Sequence, residues 1–368
     1  MANKIRVGIV GGGVIGKRDA DGITAQEDMQ LSGVADISDS ALISVINMNR
    51  GYKLFASSED ARRKMEEAGL KVEGFLNDLL EDSEIVVDCT VKGVPQKNIN
   101  EYYNKHNIPF IVEGGEEHDL TGRSFSTFPN YEENFRKDRT RVVSCNTTAL
   151  CRMLSTLDGS YGVLSYHVDL VRRGTDPLNA ATKGPSNVIE PVLGGSHHYQ
   201  DVETCMSGLI GKGYSMAVAT SHTLSHVHML QVDLEKGTSV EEILKLFDAT
   251  PRMRVVQGKK DGLPDTAKVA EYYRDVGRLR GDHPEITIWG ESVIIRGKKL
   301  YLIYDVHMES IPIPENIDAI RALRGTVEDK WKSAQMTDSA LEKHLPGFTK
   351  KGAIYAPADK RLEIIRAN

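Results

Sequence analysis

The chain is expected to be an α/β protein: an N-terminal doubly wound domain over residues 1–144, then an α+β catalytic domain with a mixed or antiparallel sheet over 145–312. Three observations set that expectation. The chain opens on a strand, a glycine turn and a helix; strands and helices alternate up to about residue 143; and after Cys145 the strands lengthen and are separated by loops. Two domains also suit 368 residues at about 100–200 residues per domain. The helices from about 313–368 are expected to pack back on the first domain.

Ile5–Val10 reads as a buried strand that runs into Gly11-Gly12-Gly13-Val14-Ile15-Gly16 and then into a polar, helix-forming segment. A second strand, Met29–Ala35, ends at Asp36, twenty positions after Gly16 (36 − 16 = 20). That is the Rossmann spacing of a ribose ligand behind a pyrophosphate-binding turn. Helices follow at Ser58–Ala68, Leu76–Leu80 and Pro95–Lys105, with strands at Ile85–Cys89 and Pro109–Val112, so the sheet should be parallel. Arg141-Val142-Val143 closes a strand, and Leu150, Met153, Leu154 and Leu157 fall at helical spacing behind it. Further strands are read at 164–173, 215–219, 224–234, 286–295 and 299–307. Thr238 and Glu241 form a capping box ahead of Ile243, Leu244 and Phe247, and Pro314-Glu315-Asn316 opens a helix through Leu323. The Gly174–Gly195 loop is too long for a plain connection and reads as functional.

Ser144-Cys145-Asn146-Thr147-Thr148 places a thiol at a strand-to-helix turn, where first-turn N–H groups favour an anion. A free thiol has a pKa of about 8.5, and such a position lowers it to roughly 3.5–7.5, which makes a nucleophile. The alternative is a buried structural cysteine beside a serine cap. Gly11, Gly13 and Gly16 clear the way for a dinucleotide backbone, and Asp36 would accept from both ribose hydroxyls and repel a 2′-phosphate, so NAD is expected over NADP. Arg172, Arg173, Lys183, His197 and His198 suit an anion site, unless Asp176, Glu190 and Asp201 neutralise them on a solvated loop. His226 and His228 lie two apart in a strand and share a face. They read as structural core histidines or as a general base beside the thiol; a metal is not expected, because no third ligand is near.

A net charge of −6 argues against nucleic acid as the main partner, and no apolar run reaches membrane-spanning length. Four cysteines without CxxC spacing should be reduced thiols in a soluble cytoplasmic protein.

Taken together, these segments resemble the archaeal-type, or class II, phosphorylating glyceraldehyde-3-phosphate dehydrogenases. The ordered matches run from Val7 to beyond Trp331: the glycine turn with Lys17 and Arg18, 85–90, 113–116, 141–152, 170–174, 183–185, 196–198, 223–228, 307–310 and 314–321. The resemblance implies that Cys145 attacks the aldehyde and that His226, with His228 as fallback, is the base. It implies that Ser144, Asn146 and Thr147 line the substrate site, and that Arg173, His197 and His198 handle phosphate or cofactor, with Arg172 and Lys183 as weaker members. Val14, Ile15 and Gly115 would contact NAD or NADP, and a homotetramer is implied. The chain departs from the family at Gly12, where a side chain is usual, at Asp36, where a basic residue is common, at Glu113, where a glutamine is expected, and at Met308, a cofactor contact where the resemblance implies a glutamine next to the nicotinamide. The tail 350–368 exceeds the usual end. Erythrose 4-phosphate or a semialdehyde is the alternative substrate, and a silent NAD-binding protein the alternative class.

Overall fold

The computed structural model describes residues 4–113, 115–174 and 188–367. These fall into two compact units, residues 1–144 with 312–344 and residues 145–311 with 345–368.

The first unit is built on β1 (Ile5–Val10), β2 (Met29–Asp36), β3 (Leu54–Ala56), β4 (Val72–Phe75), β5 (Ile85–Asp88), β6 (Phe110–Val112), β7 (Ser124–Phe125) and β8 (Arg139–Val142). All pair in parallel, in the order β4-β3-β2-β1-β5-β6-β8-β7. Val7, Ile9, Val34, Val86, Val87 and Ile111 have no exposed surface, the near-continuous apolar run expected of strands covered on both faces. The order reverses between β1 and β5, so the turn after β1 opens at the crevice where doubly wound sheets bind ligands. Helix Ile313–Arg324 joins this unit, its Ile313 and Ile317 side chains lying against Gly22 of helix Gly16–Ala25.

The second sheet is mixed. It comprises β9 (Val163–Arg173), β10 (Ile189–Pro191), β11 (Gly213–Thr220), β12 (His226–Leu234), β13 (Met253–Val256), β14 (Ile286–Trp289), β15 (Ile294–Arg296) and β16 (Lys299–Val306), in the order β10-β11-β9-β12-β16-β14-β13 with β15 on β16. β9 and β11 are parallel, as are β13 and β14, while the remaining pairs are antiparallel. Helix Cys145–Tyr161 packs across β9, β12 and β16 and buries Leu150, Met153, Leu154 and Leu157 completely. On the opposite face Tyr214, Met216 and Met229 are exposed among the described residues.

Several sequence expectations are corrected. The tail does not return whole to the first unit: residues 345–368 belong to the second. Helix Ala358–Ala367 buries Leu362, its Ala358 carbonyl accepts from Ser160 Oγ at 3.2 Å, and Arg366 pairs with Glu242 at 2.6 Å. The strand expected over 286–295 is broken at Gly290–Ser292. There Ser292 Oγ donates to the Trp289 carbonyl and accepts from Ile303 N–H, taking the place of a ladder bond. Ser239, not Thr238, caps helix Val240–Ala249, because its hydroxyl reaches Glu242 N–H, while Thr238 donates to the Glu242 carboxylate. Among the described residues no helix is long and apolar enough to cross a membrane.

Candidate active site

In the second unit Cys145 is the first residue of a 17-residue helix, among N–H groups that have no carbonyl four residues earlier within the helix. His226 opens β12, and its Nε2 lies 3.5 Å from Cys145 Sγ. The other ring nitrogen, Nδ1, accepts the backbone N–H of Arg173 at 3.0 Å, from the end of β9. Burial holds His226 well below the usual histidine range, reinforced by His228, Arg173, Arg172 and His198, so the ring is neutral at neutral pH.

His228 shares that face but not that contact. Its Nε2 meets Asn146 Oδ1 at 2.8 Å and its Nδ1 meets the Tyr304 hydroxyl at 3.0 Å, and burial brings its pKa down to about 3. It is a neutral bridge that fixes the Asn146 side chain one residue beyond the thiol. Thr147 is wholly buried, and Ser144 is half-buried at the last position before the helix.

The cationic cluster is only partly an open anion site. Arg173 is 4% exposed, and its guanidinium pairs with Glu309 at 2.5 Å, donates to Met308 Sδ at 2.9 Å and reaches the Thr223 carbonyl at 3.2 Å. The head is thus held by protein partners, the Met308 sulfur among them. Arg172 differs: its Nε is buried with no hydrogen-bond partner among the described residues, and its charge acts on both His198 and His226. His198 is buried, bonded to Ser196 Oγ and stacked on His197 at 4.4 Å. Burial, then His197, Arg172 and His228, hold its pKa well down. The exposed His197 lies 3.6 Å from Asp201. Glu190 is exposed on β10, and Lys183 and Asp176 lie outside the described residues.

In the first unit the glycine turn fits a dinucleotide. Gly11 has φ +93°, and a Cβ on it would come within 2.9 Å of the Cys89 carbonyl carbon. A Cβ on Gly16 would sit 1.8 Å from the Gly11 oxygen, whereas one on Gly13 meets nothing within 4 Å, so Gly13 leaves room for a phosphate to approach the backbone. Val14 and Ile15 are half-buried, and the Val14 carbonyl accepts from Arg18. Asp36 folds onto the turn: Oδ2 accepts from Gly12 N–H at 2.6 Å, and Oδ1 from Ile37 and Ser38 N–H at 2.7 and 2.8 Å. A Cβ on Gly12 would lie 2.9 Å from Ile43 Cδ1, the end of a side chain that can shift. Gly115 is exposed at φ +87°.

Sequence reasoning did not single out Glu309, which neutralises Arg173, or the trio Asp19, Cys89 and Asn316. Asn316 Nδ2 donates to both Asp19 oxygens at 3.2 and 3.0 Å, and Cys89 Sγ lies 3.3 Å from Oδ2. Burial nevertheless raises the Asp19 carboxyl to about 7. These partners are far apart in the chain, and no local pattern marks them.

A family model described as glyceraldehyde 3-phosphate dehydrogenase, C-terminal domain, matches residues 144–277, the stretch that holds Cys145, Arg173, His198 and His226. Proteins named glyceraldehyde-3-phosphate dehydrogenase are similar over nearly the whole chain. That of Methanothermus fervidus is 40% identical over 337 residues, 91% of this chain and 98% of the relative. That of Methanobacterium bryantii is 43% identical over 339 residues, 91% and 98% respectively. That of Pyrobaculum neutrophilum is 40% identical over 341 residues, 92% and 97%. Identity of this order along the full length, together with a thiol at a helix start facing a buried histidine, shows that the chain is an enzyme of the glyceraldehyde-3-phosphate dehydrogenase family.

Proposed function

We propose that the protein catalyses the reversible phosphorylating oxidation of D-glyceraldehyde 3-phosphate to 1,3-bisphosphoglycerate with NAD, in glycolysis or gluconeogenesis. The observation that carries this reading is the 3.5 Å approach of Cys145 Sγ to His226 Nε2 at a helix N-terminus. The Cys145 thiolate attacks the aldehyde carbon: an S–C bond forms and the carbonyl electron pair moves onto oxygen, beside His226. A bound nicotinamide supplies the hydride acceptor that turns this thiohemiacetal into a thioester. Inorganic phosphate then attacks the thioester carbonyl, the C–S bond breaks, and the thiolate is restored. Arg172, His197 and His198 face the anions, while Ser144, Asn146 and Thr147 line the approach to the thiol. Gly11, Gly13, Val14, Ile15, Gly16, Asp36 and Gly115 hold the dinucleotide. NADH formation from NAD and glyceraldehyde 3-phosphate is expected only when inorganic phosphate is present. Turnover that ignores phosphate would remove the phosphorylating step, and no turnover would point to another phosphorylated or acidic aldehyde.

NAD is the preferred cofactor on this reading, because an acidic Asp36 at this spacing from the glycine turn would repel a 2′-phosphate. The ratio of kcat/KM for the two cofactors checks this: a lower KM for NADP would overturn it.

The active species is a cytoplasmic homotetramer. The open face of the second sheet supports assembly, since Leu164, Tyr214, Met216 and Met229 are 54, 47, 51 and 38% exposed on neighbouring strands. Light scattering is expected to give the mass of four 40.7 kDa chains.

A further inference from the structure

We propose that Asp19 couples cofactor binding to a proton: its carboxyl takes one up when the dinucleotide's pyrophosphate seats on the glycine turn, so that affinity falls as pH rises. The inference rests on the reading of Gly11–Gly16 as the dinucleotide turn. Asp19 lies in the first turn of helix Gly16–Ala25, directly behind that turn, and has no exposed surface. The two side chains that bond it are uncharged. Asn316 Nδ2 spans both carboxyl oxygens at 3.2 and 3.0 Å, and the Cys89 thiol donates to Oδ2 at 3.3 Å. Cys89 also abuts the turn: its N–H donates to the Val10 carbonyl at 2.7 Å, and its carbonyl carbon leaves no room for a Cβ on Gly11.

Asn316 marks the place of the proton. It is wholly buried, yet its Oδ1 has no hydrogen-bond partner among the described residues. An amide that faces a carboxylate can use only its N–H groups, whereas one that faces a carboxylic acid can also accept. Protonated Asp19 offers the O–H that Asn316 Oδ1 lacks, and a slide of the amide along the carboxyl edge gives two complementary bonds. The neutral acid also avoids the cost of a buried charge.

The charges around Asp19 are finely opposed. Arg18, beside it on the same helix, and the positive end of that helix favour the ionised form, but burial outweighs them and the carboxyl stands at about 7. Asp88, which ends β5, and Glu113, which follows β6, act with negative sign on Cys89. On helix Ile313–Arg324, Glu315 is bonded to Thr127 N–H and Asp318 to Ser333 and Thr337, while Asp36 of β2 turns to Gly12 N–H. Helix Lys330–Leu341 meets helix Gly16–Ala25 at Gly22, through the apolar Leu341. A pyrophosphate brings further negative charge to the helix end that helps to keep Asp19 ionised. The carboxylate then takes a proton from solvent. By reciprocity, the same coupling makes the proton strengthen cofactor binding. Below about 7 the carboxyl is protonated with or without cofactor and affinity is flat; above it the free protein must regain its proton on binding, and affinity falls.

The test is NADH binding followed by fluorescence. In the unaltered protein Kd should rise about tenfold between about pH 6 and about pH 9, the size expected of a moderate coupling between two sites. Asp19→Asn keeps the shape and cannot titrate, so its Kd should stay level over that range. Calorimetry in two buffers of different ionisation heat should show roughly half a proton taken up per NADH near about pH 7.5. ADP-ribose, which carries the pyrophosphate without the nicotinamide, should take up the same fraction. These uptake measurements need only the unaltered protein, so they decide the matter even if the variant does not fold. NADH or ADP-ribose bound without proton uptake, or a pH slope that survives in Asp19→Asn, would overturn the coupling while leaving the glycine turn as the dinucleotide site. An unaltered protein that binds neither compound at any pH would overturn both.

Discussion

Cys145→Ser is expected to abolish phosphate-dependent NADH formation, lowering kcat by on the order of 10⁴ or more while the protein stays folded. The chemistry sets the size of the effect. A serine hydroxyl is a far weaker acid than a thiol and stays protonated, so the attacking anion is lost. If a serine adduct did form, the phosphate step would have to expel an alkoxide from an ester instead of a thiolate from a thioester. Packing contributes little, because Cys145 is half-buried and serine is close to it in size. NAD binding, followed by fluorescence quenching, should be unchanged, since the glycine turn lies in the other unit. Alkylation gives a parallel readout. Burial, with Asp19 and Glu113 nearby, pushes the Cys89 thiol well up, and Cys151 and Cys205 are buried. One equivalent of iodoacetamide should therefore label Cys145 and stop turnover in step. A fully active serine variant would return Cys145 to the role of a structural cysteine.

What the sequence disclosed and what it hid differ in kind. The parallel first sheet was legible because each of its signals is local: β1 runs straight into Gly11, and Asp36 follows Gly16 at fixed spacing. The pairing of Cys145 with His226 was legible only in part. Two-residue spacing puts His226 and His228 on one face, but which ring meets the thiol depends on the register of β12 with β9 and β16, where His228 falls opposite Leu170 and Tyr304. The fate of Arg173 was hidden, because Glu309 lies 136 positions away and only the folded sheet brings them together. The same holds for Asp19 and Asn316, separated by 297 positions. The bond that holds His226 Nδ1 comes from a main-chain N–H that any residue but proline would carry at position 173, so residue identity could not reveal it. The place of the tail is hidden for a related reason: the contacts of helix Ala358–Ala367, Ala358 with Ser160 and Arg366 with Glu242, join residues far apart in the chain.

Glu285→Gln is expected to cost about 3 kcal/mol of stability at neutral pH, through a buried cluster that needs its charge. Arg278 grips the Glu285 carboxylate with two bonds of 2.8 Å, Arg254 adds one at 3.3 Å, and the Arg278 guanidinium sits 4.1 Å over the Tyr273 ring. The same two arginines hold the tail, Arg278 through the Pro346 carbonyl at 3.0 Å and Arg254 through that of Gly347 at 2.5 Å. Burial alone would push the Glu285 carboxyl up, but Arg278 and Arg254 outweigh it and bring the pKa from 4.5 to about 2. A folded pKa below the unfolded one means that this stabilisation is complete above pH 4.5 and is lost as pH falls through about 2. At about 1.4 kcal/mol per pKa unit, that interval gives the predicted loss. Glutamine preserves shape and some hydrogen bonding but leaves the buried Arg278 and the half-buried Arg254 without this counter-charge. The difference in urea midpoint between parent and variant should therefore be large at neutral pH and should narrow below pH 4.5 as the parent's own carboxyl takes up its proton. Chymotryptic cleavage after Phe348 should quicken in the variant, because the arginines that fasten Pro346 and Gly347 lose their anchor. Equal midpoints at neutral pH would mean that the cost of burying the three charges cancels their attraction, and that the cluster fixes the position of the tail without stabilising the fold.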